Sequence, residues 1–200
     1  MKINILIIYI LLKYYIIISI TITIITPYPK IKLPSAICHL TLMLLFRTMN
    51  EVIVNSKMKL SEHFTLGELC KTSHNTADGN IPSHVVIENL KRLCPWLEEL
   101  RRRYNEPIII NSGYRSPAVN KLAGGAANSN HLTGCAVDIR CAGKEQMIRY
   151  ASILLDIADG TKQEFDELLL EQHGSTCWLH FAVRPQGNRR KIAFLCNFFR

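Results

Sequence analysis

The chain reads as an α+β domain, an antiparallel sheet flanked by helices, on three observations from Met58 onward. One long stretch repeats its apolar residues at helical spacing, several short runs are β-branched or alternate in polarity, and turn residues separate them. No internal repeat or low-complexity tract interrupts this pattern after Met58.

The elements follow in chain order. In MKLSEHFTLGEL, Thr65 stands at an N-cap position and Glu68, three residues on, is the return partner of a capping box, so a short helix opens there. Asn80, Ile81 and Pro82 read as a second helix start, and Val85, Val86, Leu90, Leu93, Leu97 and Leu100 recur at helical spacing toward Arg103. Residues 107–111, PIIIN, form a β-branched strand that SGYRSP leaves as a loop. A strand fits Ala136–Cys141 and a helix fits Lys144–Ile157. Phe165–Glu171 and Trp178–Val183 read as the arms of a hairpin, with residues 172–177 as its loop.

Charge and composition divide the chain in two. The net charge is +8, but residues 1–57 hold six Lys/Arg against one acid, so residues 58–200 carry only +3. A basic nucleic-acid footprint is therefore not expected. Met1–Thr26 contain twelve isoleucines, and a further apolar run covers Leu33–Phe46. Residues 1–57 thus read as an N-terminal extension: either a membrane anchor, or upstream sequence translated ahead of a start at Met58. A genuine extension would make the membrane a partner and place the protein in the cell envelope. Without it the location would be the cytoplasm or release with a phage. The seven cysteines are an odd number, and Cys135 and Cys141 fall on an apolar strand face, so reduced core thiols are expected rather than a disulfide framework.

The chemistry concentrates in HLTGCAVD, residues 131–138, and WLH, residues 178–180. Side chains alternate along a strand, so Ala136, Asp138 and Arg140 share one face while Cys135, Val137, Ile139 and Cys141 share the other. A lone aspartate inside an apolar strand is costly unless it is paired or bound to a metal. His180, sharing its face with Trp178, raises the same question. Singly, His180 fits a hydrogen-bonded core histidine and Asp138 a cap or ion-pair partner. Together, His131, Asp138 and His180 form an open three-ligand set that suits zinc and leaves a fourth position for water. No CxxC pair offers the alternative of a structural site.

SGYRS, VN, GG, SNH and HLTGCAVD, followed about forty residues later by WLH, resemble the zinc D-Ala-D-Ala carboxypeptidase family of peptidoglycan peptidases. That family includes phage endolysin peptidases and shares its fold with the Hedgehog signalling domain. The resemblance covers about residues 58–195 and implies a zinc peptidase domain over 58–200. It implies zinc at His131, Asp138 and His180, a substrate site lined by Arg115 and Ser129, and peptidoglycan stem peptides as substrate. Arg115 offers a planar charged fork suited to a carboxylate, while Ser129 suits either a substrate hydrogen bond or closure of its own turn.

Several branches of the family place an acid three positions before the last histidine ligand, where this chain has Cys177. The replacement general base is expected to be Glu171, which a hairpin brings opposite Trp178 and diagonally across from His180. Glu167 shares that face farther along, and Asp166 should point the other way. His173 reads as a solvated loop residue, and Arg189, Arg190 and Lys191 as a solvated basic run able to touch anionic wall polymer. Without a working base, the same groove would serve a catalytically inactive zinc-containing cell-wall-binding module.

Overall fold

The computed structural model describes residues 56–197. The proposed extension lies outside them except for its last two residues. Among the described residues no helix is long and apolar enough to cross a membrane.

Helix α1 is Leu66–Leu69, with the Thr65 side chain accepting from the Glu68 amide as the capping pattern requires. Gly67 N donates to Ser56 O and Leu66 N to Met58 O, so main-chain ties to this helix begin at Ser56. Helix α2 runs His84–Tyr104, and its N-cap is Ser83, whose hydroxyl accepts from the Val86 amide. The start expected at Asn80–Pro82 is thus corrected. Asn80 has a left-handed backbone, φ 52, and its buried side chain ties loops together instead. Its Nδ2 donates to Cys70 O and Tyr114 O, and its Oδ1 accepts from Ser116 N.

Strand β1 is Ile110–Ser112, shorter and later than the PIIIN run, because only one edge of it pairs and the register shifts within it. Helix α3, Pro117–Leu122, follows its Ser116 cap. A 3-10 turn at Asn130–Thr133 then leads into β2, Ala136–Cys141, as expected. Helix α4, Lys144–Thr161, extends one turn past the expected end. The hairpin is β3, Glu167–His173, and β4, Thr176–Ala182. Its loop shrinks to Gly174 and Ser175, with Gly174 at φ +58, so exposed His173 ends a strand rather than sitting in a loop.

The described sheet has five strands in the order β1-β2-β4-β3-β5 and is mixed, which corrects the expected antiparallel sheet. Strand β5, Lys191–Asn197, pairs parallel to β3 from Glu167↔Lys191 onward. The cause is steric order. Both edges of β4 are taken by β2 and β3, and β4 ends at Ala182 beside Glu167 at the start of β3; the short connection 183–190 enters β5 at that same end, so β5 runs parallel to β3.

Helices α2 and α4 cover one sheet face. Leu90, Leu93, Leu97, Leu100, Met147 and Leu154 are all fully buried there against Val137, Ile139, Leu168, Leu179 and Phe181. Phe181 sits between Trp96 and Phe165, with ring centroids 5.2 and 5.8 Å away. The opposite face carries the polar residues.

Candidate metal centre and groove

Strand pairing builds the site. Asp138 lies directly opposite His180 in the β2–β4 register, with Ser112 beyond Asp138 and Leu169 beyond His180. Period-two alternation turns Ala136, Asp138, His180, Trp178, Glu167, Leu169 and Glu171 to the face away from the helices. His131 comes from the 3-10 turn rather than from a strand. The Ser129 hydroxyl accepts from the His131 amide and closes that turn. Gly134 ends it at φ +71, where a Cβ would lie 2.8 Å from Val86 O and Val86 Cγ1. Asn89 Nδ2 pins the turn to helix α2 by donating to Thr133 O.

Three side-chain atoms converge. His131 Nε2 is 3.2 Å from Asp138 Oδ1 and 3.2 Å from His180 Nδ1, and His180 Nδ1 is 2.9 Å from Asp138 Oδ1. All three residues are buried. Among the described residues this is the one group of three or more His, Cys, Asp or Glu side chains placed to share a metal ion. Ligands about 2.05 Å from a tetrahedral zinc stand ~3.3 Å apart, so the triangle is nearly the size of one zinc face. The donor set, two imidazole nitrogens and one carboxylate oxygen, suits zinc as well.

The surroundings fix which atoms face inward. His131 Nδ1 is 2.6 Å from Gly113 O, an acceptor only, so the ring N–H is held there and Nε2 is left as the donor atom. Gly113 can approach because it lacks a Cβ, which would lie 2.2 Å from Leu69 O. Asp138 Oδ2 accepts from the Arg115 guanidinium, whose Nε donates to Ser112 Oγ at 2.8 Å. Arg115 is therefore in the site, with part of its fork holding Asp138. Burial pushes the Asp138 carboxyl up, but the two imidazoles outweigh it and hold the carboxyl well below the usual range. Burial pulls His180 down, yet hydrogen bonding to Asp138 and Glu167 lifts it to about 9. A cation at this point would take the place of the proton the triangle attracts.

An open groove of about 650 Å³ runs over this face, from Arg115 and Ser129 past the triangle to Glu171 and Trp178. Two carboxylates on β3 face it in opposite electrostatic states. Glu167 Oε1 is 2.8 Å from Arg189 Nη2 and 3.4 Å from Lys191 Nζ, and Glu167 Oε2 accepts from Asn130 Nδ2 at 2.9 Å. Hydrogen bonding to His180, with these partners, holds it down at about 2 despite partial burial. Glu171, paired across the strands with Trp178, is raised instead, first by burial and then by the Asp138 charge. Cys177 occupies the apolar face beside Cys141, so its position offers the groove nothing. The described cysteines, Cys70, Cys94, Cys135, Cys141 and Cys177, are free thiols.

Asn130, Arg184 and Gly113 were not singled out from the sequence, and the parts played by Asp166 and the 189–191 run were not legible there. Asn130 was visible only as part of SNH, yet its Nδ2 links Asp166 Oδ2 and Glu167 Oε2 while its Oδ1 accepts from Arg184 Nε. Asp166, expected to point away, precedes β3 and is fully buried as the acceptor for Arg184 and Arg189. The basic run 189–191 is accordingly paired rather than merely solvated, with Arg190 bonded to Asp159 and stacked 5.4 Å over Phe165. Gly113 carries no side-chain signal at all.

Comparison with known proteins agrees with this geometry. The family model for peptidase M15 matches residues 62–167, a span holding Arg115, Ser129, His131 and Asp138 and stopping short of Glu171 and His180. Over 78 residues the chain is 31% identical to the zinc D-Ala-D-Ala carboxypeptidase of Streptomyces albus G. That stretch is 38% of this chain and 31% of the relative, so the chain matches about a third of that enzyme's length. With just over half of its residues matched by the family, and with a zinc-sized His-Asp-His triangle at the centre of the groove, the chain belongs to the M15 family of zinc peptidoglycan peptidases.

Proposed function

We propose that the domain spanning residues 58–200, of Hedgehog/DD-peptidase-like fold, is a zinc peptidase that hydrolyses a peptide bond in peptidoglycan stem peptides, as a D-Ala-D-Ala carboxypeptidase or related endopeptidase. The observation that carries this reading is the convergence of His131 Nε2, Asp138 Oδ1 and His180 Nδ1 in a groove that also holds Glu171.

His131, Asp138 and His180 would hold the metal. Zinc bound there supplies Lewis-acid polarisation of the scissile carbonyl and makes water a stronger acid. Glu171 accepts the proton from the attacking water and returns it to the leaving amine, a role suited to a carboxyl raised above its ordinary range. Glu167 is a poorer base, because three donors stabilise its charged form. Arg115 keeps Asp138 in place and presents the rest of its planar fork to a substrate carboxylate or carbonyl. Ser129 shapes the turn carrying His131 and lines the groove beside the substrate. Trp178 walls the far end.

The test is mass spectrometry of purified peptidoglycan fragments incubated with the protein, with and without zinc, with chelator, and with Glu171→Gln. Zinc-dependent loss of a stem amino acid or of a cross-link, abolished by the substitution, is the expected result and names the bond. Intact fragments from a protein that retains its zinc would instead leave the groove as a wall-binding site without cleavage.

A further inference from the structure

We propose that Glu167 is a positioning residue for the metal centre, fixing His180 so that Nδ1 rather than Nε2 meets the metal; this rests on the zinc reading above. An imidazole has two nitrogens, and the one that binds a metal is set by the hydrogen bond the other makes. For His131 that bond is to Gly113 O. For His180, Nδ1 faces Asp138 Oδ1 and His131 Nε2, while Nε2 lies 3.5 Å from Glu167 Oε2.

Glu167 is itself held in place. Arg189 and Lys191 engage Oε1, and Asn130 donates to Oε2, so three donors from two other segments fix the carboxylate plane. Asn130 immediately precedes His131, and its Nδ2 also reaches buried Asp166, which Arg189 grips with two nitrogens. The residue next to His131 and the carboxylate behind His180 thereby belong to one polar cluster. A carboxylate this constrained gains little by moving toward solvent. Its open approach is toward the imidazole N–H of His180. A carboxylate behind a histidine also makes the ring a stronger donor to a cation. The residue thus acts through His180 and does not touch the reacting atoms.

The experiment measures zinc affinity of the full chain by competition with a chromophoric chelator, and the electronic spectrum of the cobalt(II)-loaded protein. Glu167→Ala is expected to weaken zinc about 10- to 100-fold and to shift the cobalt bands. Glu167→Gln, whose amide oxygen can accept the same N–H, should recover most of the affinity. Unchanged affinity and spectrum in Glu167→Ala, or a loss that Glu167→Gln does not reduce, overturns the proposal. Should Glu167→Ala fail to fold, long-range proton–nitrogen spectra of the zinc-loaded unsubstituted protein decide it. A protonated Nε2 on His180 supports the assignment, and metal at Nε2 overturns it. Absence of zinc binding by the unsubstituted chain defeats the metal reading itself and this proposal with it, an outcome distinct from failure of Glu167 alone.

Discussion

The two faces of strands β2 and β4 share one backbone and differ in nearly everything else. On the helix-covered face, Val137, Ile139, Leu179 and Phe181 are wholly buried within the hydrophobic core. On the groove face, Asp138 and His180 are also buried, yet each is surrounded by charge and hydrogen-bonding partners. Burial stabilises on the first face, through apolar area removed from water. On the second it raises the energy of charged groups, which the polar cluster and a metal offset. Residues one position apart should therefore respond to substitution in opposite currencies: stability on one face, metal binding and turnover on the other.

The largest effect that would sharpen this contrast is expected at His180. Removing one of three ligands in His180→Ala should abolish stoichiometric zinc, read by metal analysis, and reduce hydrolysis to the level seen with chelator. Next, Glu171→Gln should keep its zinc and lose about 10²- to 10⁴-fold in kcat/KM on peptidoglycan fragments. In the metal-free protein its melting temperature at pH 7 should rise. The sign follows from the raised carboxyl of Glu171: the folded chain holds that proton more tightly than the unfolded chain, so stability falls as pH rises from the unfolded value toward the folded one, and the penalty persists above both. Calorimetry showing a lower melting temperature would break the comparison at this residue.

On the other face, Phe181→Ala should cost about 3–5 kcal/mol in denaturant unfolding while leaving zinc stoichiometry intact, because the ring fills the space between Trp96 and Phe165. Cys177→Asp is a sharper version of the same test. An acid there would face the core unpaired, costing ~3–5 kcal/mol, and should not restore turnover to Glu171→Gln. Recovered activity would show that residue 177 reaches the groove. The smallest effect is in pH dependence. In the metal-free protein, Glu171→Gln should flatten the loss of stability that Glu171 causes as pH rises above the ordinary carboxylate value of about 4.3.

Local pattern alone determined much of this protein. The alternation in AVDIRC placed β2 residue for residue and separated Asp138 from its apolar neighbours, the Thr65–Glu68 spacing marked a capped helix, and the motif residues pointed to one metal group. Such signals are legible because they rest on fixed periods of 2.0 and 3.6 residues and on caps within a few positions. Only the tertiary structure decided what each of those elements meets. It put β5 parallel to β3, drew Arg189 onto Asp166 and Glu167, set Gly113 O behind His131 and turned Cys177 to the core. Those outcomes depend on which strand edges remain open and which buried charges need partners. Both are properties of contacts between residues far apart in the chain, and no local period carries them.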